Sequence, residues 1–63
     1  MTKVKVLFLG SNDEQIATIT VDYDIVDGID VIIFRGETYK YRRVADRGLT
    51  YIYQLANILE IKE

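Results

Sequence analysis

The stretch "VDYDIVDGID", Val21 to Asp30, places four aspartates within ten residues and admits two readings with opposite consequences for the fold. One is a calcium loop of the EF-hand kind. Such a loop takes oxygens from its first, third and fifth positions, glycine at the sixth and glutamate at the twelfth. Counted from Asp22, the fifth position is Val26, the sixth Asp27 and the twelfth Ile33; with Gly28 at the sixth, the first ligand becomes Tyr23. Neither register supplies the ligands. The other reading is a β-hairpin turned at Asp27-Gly28, a pair suited to the type I′ turn, whose two central residues both take positive φ. The sequence predicts the hairpin, with no metal and no cofactor.

Outward from that turn, apolar and polar residues alternate along most of the chain, as in half-buried strands. "KVKVLFL" (3–9) sets Val4, Val6 and Phe8 on one side. "IATITVDYDIV" (16–26) sets Ile19, Val21, Tyr23 and Ile25 on one side and Thr18, Thr20, Asp22 and Asp24 on the other. "IDVIIFR", "TYKYRRV" and "LTYIYQL" follow, rich in the β-branched and aromatic residues that favour strands. Ser11–Glu14 joins the first two strands. Gly36-Glu37 suits a type II′ turn, and Asp46-Arg47-Gly48 a three-residue loop ending in a left-handed glycine.

These turns specify a register. Tyr23 is expected opposite Ile32, and Val21 opposite Phe34. Phe34 is then opposite Tyr39, Ile32 opposite Tyr41 and Asp30 opposite Arg43. Past the third loop, Arg43 meets Tyr51 and Tyr41 meets Tyr53. The inner face would hold Val21, Tyr23, Ile25, Ile32, Phe34, Tyr39, Tyr41, Tyr51, Tyr53 and Leu55. The outer face would carry Asp22 and Asp24, then Val31 and Ile33, then Lys40 and Arg42. A slip of one residue exchanges the faces. The tail is read as a tight turn through Leu55-Ala56-Asn57 and a short final strand "ILEIK".

The whole is an all-β chain whose five strands, with a helical turn before the last, resemble the small SH3-like barrel. The alternative is a four-stranded antiparallel sheet with a C-terminal helix. The resemblance is architectural. Peptide-binding SH3 domains carry an "ALYDY"-type stretch and paired tryptophans, whereas this chain has no tryptophan and only "VDYDI". Recognition of proline-rich ligands is therefore not implied.

Composition narrows the function. A chain of 63 residues makes one small domain, and with no cysteine and no histidine it lacks disulfides, thiolate ligands and imidazole ligands. The lysines near the start precede an apolar run too short for a signal peptide, and no stretch approaches the ~20 apolar residues of a membrane span. A soluble cytoplasmic protein is expected. As a carboxylate pair on one strand face, Asp22 and Asp24 would stand about 6–7 Å apart. A domain this small has little room for the enclosing cleft that acid–base catalysis needs, so no enzyme is expected.

The net charge of −2 is unevenly spread, with residues 1–34 at −4 and residues 35–63 at +2. Two candidate surfaces follow: an acidic hairpin (Asp22, Asp24, Asp27) and a basic strand (Lys40, Arg42, Arg43, Arg47). The expected function is a non-enzymatic module that binds a protein, with a second copy of the chain among the candidates through open edges at the first and last strands. Small chains without metal or disulfide are often accessory or inhibitory factors of phages and plasmids, an analogy only. The alternative is a nucleic-acid surface on "RGETYKYRRVADR" (35–47), where bases interleave with tyrosines. Five tyrosines and two phenylalanines exceed what a small core encloses, so one or two are expected at the surface.

Overall fold

The structure, a computed structural model, describes residues 2–56, and 62% of them lie in strands. Strands β1 (Lys3–Leu9), β2 (Gln15–Asp22), β3 (Val31–Phe34), β4 (Glu37–Ala45) and β5 (Thr50–Leu55) form one sheet in the order β2-β1-β5-β4-β3. The fold is all-β, a five-stranded sheet curled into a half-barrel.

The alternation in β1 has the expected consequence. Val4, Val6 and Phe8 are buried on the inner side, where they face Val21, Ile19 and Ala17 of β2. On its other edge β1 pairs with β5, Leu7 opposite Ile52, and this pair is parallel, so the sheet is mixed rather than wholly antiparallel. Parallel neighbours need a long crossover, and everything from β2 through β4 and the turn after it provides it. The first and last of these strands are therefore central. The free edges among the described residues belong to β2 and β3, not to β1 and β5.

The hairpin expected at Asp27-Gly28 is replaced by a corner. β2 stops at Asp22, and Tyr23–Val26 winds into a single helical turn, α1. Asp27 keeps φ −63° and ψ 114°, Gly28 takes φ 76°, and the Ile29 amide donates to the Val26 carbonyl at 3.1 Å. That is a type II turn, which needs glycine only at its second central position. Tyr23 and Val26 lie at helical spacing, and burial of Val26 to 2% exposure favours the helical turn over a continued strand. In consequence β2 and β3 do not pair, and neither the Tyr23–Ile32 nor the Val21–Phe34 partnership exists. Tyr23 and Ile25, expected inside, are exposed.

The second turn falls one residue early. Arg35 and Gly36 take φ 54° and 80°, a type I′ turn in place of the type II′ turn expected at Gly36-Glu37. Phe34 now faces Glu37, Ile32 faces Tyr39 and Val31 faces Lys40, in place of the expected partners. The slip is two residues along β4, so the faces survive and Ile32, Phe34 and Tyr39 stay inside.

The third connection is one residue longer than expected, because Ala45 pairs with Thr50. Arg47 (φ 56°, ψ 36°) and Gly48 (φ 88°) form a left-handed turn in which the Leu49 amide donates to the Asp46 carbonyl at 3.0 Å. One extra residue would invert β4, and a bulge between Tyr41 and Arg43 cancels the inversion. Tyr41 faces Tyr53 as expected, while Arg43 faces Ile52 and Val44 takes the place opposite Tyr51.

The core fills the concave side. Although β5 and β4 lie between β1 and β3, the rings of Phe8 and Phe34 stack with centroids 4.3 Å apart, and Tyr39 packs 4.8 Å from Phe8. Those contacts require the sheet to curl. Tyr53, fully buried, donates its hydroxyl to the Ile29 carbonyl at 2.5 Å and so fastens the corner to β5. Leu55 continues β5, paired with Tyr39, and the Ala56 amide donates to the Thr38 carbonyl, so the strand runs into the first residue of the expected turn, whose Asn57 lies outside the described residues. The expected final strand lies outside the described residues.

Candidate functional site

The helical corner sets Asp27 apart from the other acidic candidates, while Asp22 and Asp24 line one small open pocket with Thr2 and Tyr23. Asp22 ends β2 with its carboxylate 2.8 Å from Lys3 Nζ. Asp24 stands exposed on α1, no longer two strand positions from Asp22. Asp27 lies in the type II turn and accepts the Tyr23 hydroxyl at 3.1 Å. This bond and the Asp27 charge raise the pKa of the Tyr23 phenol above its ordinary value. Among the described residues, no three carboxylates converge as a metal site would need.

The basic candidates are partly gathered. Strand alternation places Lys40 and Arg42 on the outer face of β4, and the bulge turns Arg43 to the same side by setting it opposite Ile52, which alternates with the inward Tyr51 and Tyr53 and is itself buried. Lys5 of β1 shares this face, an addition that the reading of residues 35–47 alone missed. Arg47 stands apart in the left-handed turn. Arg42 is engaged: its Nη1 donates to Asp13 Oδ1 at 2.9 Å, and Gln54 Nε2 donates to the same oxygen at 2.6 Å and to the Gly10 carbonyl at 3.0 Å. Tyr39 and Tyr41 turn to the inner side, so the outer basic face has no interleaved tyrosines.

The third surface was not anticipated. Between the corner and the inner side of β4 and β5 lies an open groove lined by Val26, Asp27, Ile29, Asp30, Tyr41 and Tyr51. Its aromatic wall is continuous. The Tyr41 and Tyr51 centroids are 6.3 Å apart with the rings tilted by 47°, Tyr23 lies 6.2 Å beyond Tyr51, and Tyr53 lies 5.7 Å from Tyr41. Tyr41 and Tyr23 keep 39% and 37% of their surface exposed, which matches the expected surplus of aromatics over core volume. Burial, and after it the Asp30 charge, raise the pKa of the Tyr53 phenol beneath the groove. The sequence held one signal for this site, the surplus of tyrosines over what the core encloses.

Comparisons of the chain with protein-family models, with curated proteins and with solved structures find no match. Among the described residues, no helix is long and apolar enough to cross a membrane.

Proposed function

We propose that this chain is a non-enzymatic interaction module of the cytoplasm that binds a protein partner. The observation that carries the reading is the groove, where the exposed Tyr41, the half-buried Tyr51 and the exposed Ile29 stand beside the carboxylate residues Asp27 and Asp30. Tyrosine is enriched at protein interfaces because it offers large, stiff contact area with a polar end.

The gathering of Lys5, Lys40, Arg42 and Arg43 on the outer face favours a second reading, a nucleic-acid surface. The inward turn of Tyr39 and Tyr41 removes the stacking platform that single strands use. The test is affinity capture from lysate of the source cells, with and without nuclease, using the wild type, Tyr41→Ser and a Lys40→Ala/Arg43→Ala variant. The account expects a defined protein that survives nuclease and is lost with Tyr41→Ser. Partners that vanish with nuclease and with the Lys40/Arg43 variant would replace this reading by the second.

A further inference from the structure

We infer that the groove between the α1–β3 corner and the tyrosines of β4 and β5 accepts a cationic side chain, lysine or arginine, presented by an otherwise apolar segment of a protein partner. This rests on the reading of the groove as the binding surface and adds the chemistry of what enters it.

Three observations converge on a cation. The charged residues of the groove are Asp27 and Asp30, both acidic; none of its described lining is basic. The Tyr23 hydroxyl occupies one oxygen of the Asp27 carboxylate, which holds the group at the rim and leaves its other oxygen as an acceptor. The faces of aromatic rings attract cations, more so when the cation is partly desolvated, and here Tyr41 and Tyr51 supply two tilted faces side by side. Their 6.3 Å separation is too small to admit a group between the rings, so the cation rests across them with a carboxylate beside it. Val26 and Ile29 give the aliphatic stem and its apolar neighbours a surface to cover. The site is also preorganised. The type II turn at Gly28 and the Tyr53–Ile29 bond fix the corner against β5.

The charge of the groove excludes the opposite class. An anionic segment would bring its charge against two carboxylates with no base in the lining to offset them. Lys5, Lys40, Arg42 and Arg43 lie instead on the outer face of the sheet.

The test uses the full chain labelled with 15N and two short peptides as probes. One has a single lysine between two leucines, and the other has norleucine in place of the lysine. The lysine peptide should shift the amides of Asp27, Ile29, Asp30, Tyr41 and Tyr51 saturably, and bind about tenfold more tightly than the norleucine peptide. Asp27→Asn/Asp30→Asn, near-isosteric and fold-preserving, should erase that difference while leaving the norleucine peptide unaffected. Equal affinities, shifts confined to carboxylates outside the groove, or a lysine preference that survives the double substitution would each overturn the inference. If neither peptide binds while Tyr41→Ser still abolishes nuclease-resistant capture, the cationic class falls and protein binding stands. Loss of that capture result removes the protein-binding reading itself.

Discussion

Tyr53 connects fold and site through one side chain, with its ring in the core and its hydroxyl on the Ile29 carbonyl at the groove. Tyr53→Phe should cost about 1 kcal/mol in urea denaturation at neutral pH, the typical net worth of one such bond. The same phenol makes stability depend on pH. Burial and Asp30 hold its folded pKa above the ordinary value, so the folded state keeps the proton longer than the unfolded chain. That contribution is fully present below pH about 10 and is lost as pH rises through the raised folded pKa. The wild type should therefore lose stability more steeply than Tyr53→Phe above that pH; parallel curves would contradict the assignment. Arg47 is the converse case, a bulky residue at φ 56°. Arg47→Asn should raise stability by a few tenths of a kcal/mol, since asparagine tolerates the left-handed region better.

At the scale of elements, β1, β4 and β5 were legible because their two faces differ in polarity, and alternation reports that difference directly. The corner was not. Tyr23–Val26 is four residues long, too short for helical periodicity to stand out against the strand pattern that enters it. The turn at Arg35-Gly36 was misplaced by one residue because arginine gives no sign that it will adopt positive φ. No residue type marks the bulge at Arg42, and the long third loop and the bulge were invisible together because each hides the other's effect on the faces. The corner itself makes a prediction. Gly28 has open space where a Cβ would stand, so Gly28→Ala creates no clash, yet its φ of 76° should make the substitution cost about 1–2 kcal/mol in thermal or urea unfolding. A neutral result would mean that the type II turn does not hold the corner.

For the whole molecule, the curl depends on a few rings meeting across the concave side, with Phe8 stacked on Phe34 and packed on Tyr39. Phe8→Ala should cost about 3–5 kcal/mol. That is comparable to what a core of this size supplies, so the variant should lose its strand signal in circular dichroism at room temperature. Retention of the signal would show that the core is not organised around Phe8. The surplus of tyrosines could be read from composition, but the groove they form could not, because it depends on the curl bringing the α1–β3 corner against β4 and β5. The basic strand was legible as a cluster; its orientation depended on the bulge. Protein binding through the groove is the central claim. Its most direct test is the amide spectrum of the 15N-labelled protein titrated with the purified partner retained after nuclease treatment. The account predicts perturbation at Asp27, Ile29, Asp30, Tyr41 and Tyr51. Perturbation confined to Lys5, Lys40 and Arg43 on the outer face would contradict it.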